Sequence, residues 1–384
     1  MRILHISADF PDPLVPVKTK SIINLLELVP EFEHMVYSLN RVSARHRVAA
    51  VPFGADWRAV TYGSPPYGVL LRRGLDRVAK FILEDIARRG LRIDLVHGHK
   101  ISVEGPIAKV VAEALGVPYF LSSMGDTDHK IIRAKPELRG LYRRVWRGAA
   151  AALPSAPWTA DGLEAMLGPR GGPVRVIPLP TKQDAIRTPA IVGPIIRSTF
   201  HLASHRRKNA EALIAAAAKA ARSMPDLRLD IVGGGDAEGF ATLFAAVQAT
   251  DPDRIRLLGP VANDQIGDFM HNSGGFALVS RRETYGMVYV EALLSGVPVL
   301  HAAGNGIAGY LEDGLITLTA PHDDSDAITE ALLRLAREEE PMKARIAEMQ
   351  NAGALDIFRR AAVAEGYRTA IAEWAGAPAA TESS

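Results

Sequence analysis

The 384-residue chain contains no cysteine. Disulfides and thiolate metal sites are therefore excluded, and the composition fits a reducing compartment. No apolar run reaches the roughly 18 residues that a membrane span needs. The opening residues, MRILHIS, pass straight into a strand-like run. They lack the charged start, long apolar core and cleavage site of a secretory leader, so a cytoplasmic location is expected. There is no internal repeat, which excludes solenoids and propellers. No nucleic-acid partner is expected. What the chain does have is length for two domains and enough apolar residues, 48 %, for sizeable cores.

The net charge of +2 hides an asymmetry. Residues 1–185 hold 26 Lys and Arg against 18 Asp and Glu, about +8, which leaves about −6 for the remainder. A basic first half suits anionic partners: a membrane face, a lipid phosphate or a charged glycan. It also suits plain solubility.

The most informative stretch is Arg281–Pro298, RRETYGMVYVEALLSGVP. Short apolar runs flank it at Gly275–Val279 and Val297–Leu300, and both read as buried strands. Between them lie a turn and a helix, with Gly286 near the helix start and Gly296 just past its end. Glu283 stands in the turn and Glu291 on the early helix, so both can line one crevice. The N–H groups of Gly286 and Met287 should point into it, and a helix N-terminus is an anion site. Carboxylates accept hydrogen bonds from sugar hydroxyls and amides hold phosphate, which together suit a nucleotide sugar. An ordinary capped helix with two surface acids fits the same two residues.

The longer pattern S-R-R-E-T-Y-G-x-x-x-x-E-A-x-x-S-G-V-P-V resembles the signature of family-4 retaining glycosyltransferases with the GT-B fold. The resemblance implies that Glu283 contacts the donor sugar and Glu291 holds the ribose hydroxyls. It further implies donor contacts from Tyr285, Gly286, Met287 and Val288. Upstream, His205-Arg-Arg-Lys208 precedes Asn209, which reads as an N-cap, and an Ala-rich helix to Ser223. A basic loop entering a helix suits a diphosphate. In the family an Arg and a Lys clamp the diphosphate here. Lys208 matches the Lys, and Arg206 or Arg207 stands near the Arg place at altered spacing.

The strand-like Leu227–Val232 runs into Gly233-Gly-Gly235. A dinucleotide fingerprint would need glycine at 238, where Glu238 stands. The family has a comparable turn against the nucleotide, which implies donor contacts at Gly233 and Gly235, and at Val261 after the next strand, Arg254–Leu258. Asn263 is expected to cap a helix to Met270. Ala303–Gly306 reads as another strand-to-helix turn, and Ser325–Arg337, Met342–Met349 and Ile357–Trp374 read as helices.

The first half opens with a strand, Arg2–Ser7, a Pro-rich loop and a helix, Ser21–Val29, as doubly wound units do. Strands follow at His34–Leu39, Arg47–Val51, Asp94–His97 and Tyr119–Ser123, with helices at Val69–Arg89 and between Pro106 and Gly116. Ala149–Pro154 and Val174–Pro178 read as its last strands. The basic stretches Arg72–Arg89 and Lys130–Arg147 carry apolar or aromatic neighbours, and fit either a membrane-facing surface or a solvated one. His97 and His99, without a Cys or HExxH spacing, fit cleft-lining residues rather than a metal site. Asp126-Thr-Asp128 has the D-x-D form of a metal site from a different glycosyltransferase fold, a three-residue pattern that Asp251-Pro-Asp253 repeats.

Two family features are missing. The first loop has no Gly-Gly pair, and Lys18 or Lys20 stands in its place. The His of a His-Gly-x-Asp-like segment is absent at Met124–Asp126.

The expectation is therefore α/β, GT-B, with two doubly wound parallel-sheet, Rossmann-like domains facing a central cleft. The domains are 1–185 on the acceptor side and 186–356 on the nucleotide-sugar side. A helix at 357–375 returns to the first domain, and a disordered tail, 376–384, follows. The implied activity is retaining transfer of a sugar from a nucleotide-diphosphate donor to a glycan or lipid-linked acceptor, with no metal and no cofactor. Lys208, Arg207 or Arg206 and the Gly286–Met287 amides would stabilise the leaving diphosphate, and Glu283 would orient the sugar. His97, Asp126 and Asp128 are the acceptor-side candidates. An anionic membrane surface is a further expected partner. A catalytically silent GT-B subunit and a GT-B sugar-nucleotide epimerase are the alternatives.

Overall fold

The computed structural model describes residues 1–43, 47–54, 56–65 and 68–376. The expected tail falls, apart from Gly376, outside the described residues. The chain divides into two compact units, Met1–Pro180 with the segment from Arg360 onward, and Thr181–Arg359.

Among its described residues the first unit contains seven strands: β1 (Arg2–Ser7), β2 (Glu33–Val42), β3 (Ala49–Phe53), β4 (Trp57–Gly63), β5 (Leu95–Gly98), β6 (Tyr119–Ser123) and β7 (Ala151–Pro154). They lie in the order β3-β4-β2-β1-β5-β6-β7, all parallel except the edge strand β3. Strands β1, β5, β6 and β7 are almost wholly buried. They read as continuous apolar runs because helices cover both faces of the sheet. One face packs on the helices Leu71–Arg88 and Glu104–Leu115 through Leu75, Val78, Ile82, Ile107 and Val111. The other is covered in part by the helix Arg360–Trp374. Its Val363, Ala364, Tyr367, Ala370 and Ile371 meet Ile3, Leu95, Phe120 and Leu153.

The second unit has six parallel strands: β8 (Ile195–Thr199), β9 (Arg228–Val232), β10 (Ile255–Leu257), β11 (Gly275–Leu278), β12 (Val299–Ala302) and β13 (Thr317–Ala320). Their order is β10-β9-β8-β11-β12-β13. The order runs outward from β8 to β10 on one side and from β11 to β13 on the other. The direction of winding therefore reverses between β8 and β11. In the first sheet it reverses between β1 and β5. Loops leaving the carboxyl ends of such a pair diverge and leave a crevice, the usual ligand position in open α/β sheets.

Several local expectations need correction. Val174–Pro178 makes a single bridge, Val174 to Ala152, rather than a strand. The Arg175 and Ile177 amides still donate to the Ala152 and Pro154 carbonyls, and the next residue, Pro178, breaks the segment off. Asn209 does not cap through its side chain. It adopts a left-handed conformation (φ 59°) between a one-turn helix, His205–Lys208, and the helix Ala210–Ser223, and its amide donates to the His322 carbonyl. The helix expected from Asn263 begins at Ile266, with Gln265 at its cap position. After Ala303–Gly306 the chain makes turns and then β13, not a helix.

Candidate active site

In the second unit the loops after β8 and β11 meet at the reversal point. The Arg281 amide donates to the Arg207 carbonyl at 3.0 Å, tying one loop to the other. Across that tie Lys208 Nζ forms an ion pair with Glu283 Oε2. Arg207 approaches Glu283 Oε1 at 4.0 Å, and Ser280 Oγ donates to Oε2 at 3.3 Å. Both members of the Lys208–Glu283 pair are about nine-tenths buried, with side-chain exposures of 12 % and 10 %. Arg206 is exposed. A Lys and an Arg thus converge on one carboxylate, as a site for an anion beside a hydroxyl-bearing group would require.

Next to this pair the helix Met287–Leu294 begins at Gly286, whose φ of 73° is left-handed. No side chain caps this N-terminus. A Cβ on Gly286 would collide with the Tyr289 ring, which is buried there and donates its hydroxyl to the Leu278 carbonyl at 2.8 Å. Met287 and Val288 are half-buried on the first turn. Glu291, one turn further on, accepts a hydrogen bond from Thr181 Oγ1. Burial pushes its pKa up, and the Thr181 hydrogen bond works against that shift. Tyr285 is buried with its hydroxyl unpartnered, edge-on to Tyr310.

The glycine-rich turn after β9 has a structural reason of its own. A Cβ on Gly233 would overlap the Phe200 carbonyl, and one on Gly235 would lie 2.8 Å from Leu202 Cβ. Both glycines let the loop after β8, which carries Lys208, lie against the turn. Val261 is half-buried in the loop after β10.

In the first unit, His5 on β1 and His97 on β5 are register neighbours. His97 has both ring nitrogens engaged, Nδ1 with the Tyr367 hydroxyl (2.9 Å) and Nε2 with Ser122 Oγ (2.8 Å). Its burial lowers its pKa to about 3, so the ring is neutral. One nitrogen from each of His5, His97 and His99 lies within 4.8 Å of the others. The rings of His97 and His99 are stacked, centroids 4.2 Å apart, and His5 is hydrogen-bonded to His99. Stacked rings do not aim two lone pairs at one ion, so this arrangement does not build a metal site.

Asp128 is fully buried and accepts from the Ile101 and Ser102 amides and from Ser102 Oγ. It braces the loop after β5. Asp126 is half-buried on the first turn of the helix Asp126–Ala134. His129 donates to the Thr159 carbonyl. Lys18 is spent on the Pro-rich loop, where it binds Asp12, Ser38 and the Leu39 carbonyl. Lys20 is exposed.

Comparison with known proteins bears on this geometry. The profile of glycosyl transferases group 1 matches residues 201–352, which include the Lys208–Glu283 pair and the helix after Gly286. A glycosyl transferase 4-like domain profile matches residues 31–180. The chain belongs to the group 1 glycosyltransferases. Its fold is GT-B and it is a sugar-transferring enzyme. D-inositol 3-phosphate glycosyltransferase of Nocardiopsis dassonvillei is 27 % identical over 294 residues, 69 % of this chain and 68 % of that protein. The enzyme of the same name from Mycolicibacterium smegmatis is 32 % identical over 124 residues, covering 30 % of this chain and 29 % of its own. Among solved structures, Anabaena HepE in complex with UDP superposes with a TM-score of 0.70 at 14 % identity, over 97 % of this chain and all of that one. The UDP-forming trehalose-phosphate synthase of Burkholderia xenovorans gives 0.71 at 13 %, over 98 % and 99 %.

For this glycosyltransferase, sequence reasoning missed three participants. Thr181 holds Glu291 from 110 residues away, and nothing in a local pattern marks it. Ser280 opens the S-R-R-E segment, and its place three residues before Glu283 is the signal that could have found it. Glu104, fully buried, accepts from the Ala8 amide at the reversal point of the first sheet. Burial pushes its pKa up to about 8, against the pull of Lys100.

Proposed function

We propose that this glycosyltransferase moves a sugar from a nucleotide-diphosphate donor, with retention of configuration and without a metal ion, to a glycan or lipid-linked acceptor. The observation that carries the reading is the Lys208–Glu283 ion pair beside the uncapped helix at Gly286. A diphosphate arriving there draws Lys208 and Arg207 toward its own charge. Glu283 is then released to accept from a sugar hydroxyl. The cations and the Gly286 and Met287 amides stabilise charge that grows on the leaving phosphate, a role a metal ion has elsewhere. Arg206, Tyr285, Gly233, Gly235 and Val261 would border the nucleotide. On the acceptor side Asp126 would face the substrate, with His97 and Asp128 holding the strand ends behind it. Uridine is the base to test first, because HepE and the trehalose-phosphate synthase are described with UDP.

The test is turnover of a UDP-sugar panel in excess EDTA, with and without a lipid-phosphate or glycan acceptor. Acceptor-dependent transfer in EDTA is the expected result. A strict Mg²⁺ or Mn²⁺ requirement, conversion of donor alone, or binding without turnover would each overturn the reading.

Glu291→Ala should weaken UDP binding by about 1.5–3 kcal/mol, the range for a hydrogen bond to a charged group. Calorimetric affinity equal to that of the parent would remove Glu291 from the ribose role.

We further propose that the enzyme is cytoplasmic and docks peripherally on anionic membranes through its basic first unit. Arg72 and Lys80 are well exposed on the helix Leu71–Arg88, and Val69 and Leu70 just before it are more than half exposed. Each Lys or Arg at an anionic surface contributes about 1 kcal/mol, screened over about 8 Å at physiological salt. Among the described residues no helix is long and apolar enough to cross a membrane. The protein should float with anionic but not neutral vesicles, and less so as salt rises. Equal flotation with both, or with neither, would make the basic face a solvated one.

A further inference from the structure

Strands β4, β2 and β1 are adjacent and parallel, so their carboxyl ends lie on one edge of the first sheet. The ends of β1 and β4 are two strand spacings, about 10 Å, apart. The loop after β1 exposes Leu14 and Val17, the latter to 90 %. The chain after β4 exposes Val69 and Leu70, both by more than half. Single surface aliphatics are ordinary, but four on neighbouring loops of one edge make a patch.

Neither pair is exposed through slack. The Leu14 and Val15 amides donate to Asp12 Oδ1 at 2.8 and 2.9 Å. Lys18 Nζ and Asn40 Nδ2 hold its other oxygen at 2.8 and 2.9 Å. Phe10 and Ile22, toward the two ends of the loop, are buried together. The loop is thus pinned at its base with Leu14 and Val17 left outside. Leu70 has a left-handed backbone, φ 54° and ψ 28°. A Cβ makes that conformation costly, and Gly or Asn adopts it more readily. A strained leucine therefore stands exposed where a polar residue would fit the backbone better.

The charges around the patch have one sign. In the described parts of these loops the acids are Asp9 and Asp12, and they are paired with Lys100 and Lys18. Lys20, Arg41 near the end of β2, and Arg72 are exposed. Apolar tips set among cations complement a bilayer whose anionic headgroups overlie hydrocarbon.

We propose that this edge inserts Leu14, Val17, Val69 and Leu70 between the headgroups of an anionic bilayer. Such insertion presupposes the membrane docking proposed above. It adds which edge meets the lipid, and a contact that is apolar as well as electrostatic. The crevice between β1 and β5 opens at the same edge, so it would face the headgroups.

The chain has no cysteine, so Val17→Cys and Leu70→Cys each give a single attachment point for the fluorophore NBD. Val110→Cys, exposed on the helix Glu104–Leu115, is the control. Vesicles of equal parts phosphatidylcholine and phosphatidylglycerol should blue-shift the probes at 17 and 70. Spin labels on the lipid acyl chains should quench both, and leave the probe at 110 unchanged. Unlabelled Leu70→Asn should bind these vesicles about tenfold more weakly, as expected for loss of one inserted aliphatic side chain. It should nevertheless melt no lower than the parent, since Asn tolerates the left-handed backbone. A protein that floats with the vesicles while its probes at 17 and 70 stay in water would overturn the insertion and leave the docking intact. So would a Leu70→Asn that binds as tightly as the parent. A protein that does not float would overturn both. The probe at Val17 keeps the test decisive if a Leu70 variant fails to fold.

Discussion

Lys208→Ala is expected to cut kcat by about 10²-fold or more and, in the same protein, to destabilise the second unit. The catalytic part follows from geometry. Lys208 is the cation closest to Glu283 at the point where β8 and β11 part, and removing one preorganised electrostatic donor typically costs about 10²–10³ in turnover. The stability part follows from burial. With both side chains about nine-tenths buried, deleting Lys208 strands a carboxylate. Breaking such a pair from one side costs about 3–5 kcal/mol. Arg207, 4.0 Å from the other oxygen of Glu283, should soften that loss. A double variant, Lys208→Met with Glu283→Gln, separates the two effects. Without either charge the unit should recover most of its stability, while turnover stays low. Urea denaturation and steady-state kinetics on the same samples give both numbers. A double variant that turns over like the parent would show that the pair is structural only.

Gly233→Ala should destabilise by more than about 4 kcal/mol or fail to fold, whereas Gly234→Ala should stay within about 1 kcal/mol of the parent. The three consecutive glycines look alike in sequence. Yet a Cβ at Gly234 would have nothing nearer than Pro260 Cβ at 3.8 Å, while at Gly233 it would overlap the Phe200 carbonyl. Gly235→Ala should fall between them, because its nearest contacts, Leu202 Cβ at 2.8 Å and the Leu202 and Ala203 backbone nitrogens at 3.1 Å, are tight but farther off than the Phe200 carbonyl is from Gly233. The order of the three denaturation midpoints checks the argument. If Gly233→Ala is as stable as Gly234→Ala, close backbone approach is not why glycine stands there.

Much of this architecture was legible from sequence for one reason. Parallel strands buried on both faces are short apolar runs, and β1, β6, β9 and β11 appear as such. The helix after Gly286 was legible because a left-handed glycine and an apolar face mark it. Trp57–Gly63 was missed because polar and apolar residues mix along it without strict alternation. Pro157–Leu167 and Ala237–Gln248 were missed because their apolar faces are poorly segregated, with Phe240 and Phe244 exposed. Asn209 was misread because a left-handed Asn between two helices and an N-capping Asn have the same local sequence. Partners far apart in the chain were not legible at all. The pairing of Lys208 with Glu283 spans 75 residues and that of His5 with His99 spans 94. Periodicity shows which side chains are buried but not which of them meet.

The helix Arg360–Trp374 has a consequence for biosynthesis. Its Val363, Tyr367 and Ile371 cover Ile3, Leu25, Leu95 and Phe120, so the first unit is finished by residues made after the whole of the second. All of Thr181–Arg359 emerges from the ribosome in the interval. At about 5–20 residues per second that interval is on the order of ten to forty seconds. During it the nascent first unit presents an apolar sheet face to solvent and to chaperones, while the second unit, encoded later, has its whole sequence available and can fold first. A stop codon placed before Arg360 therefore strips a wall from the first unit's core and leaves an aggregation-prone chain.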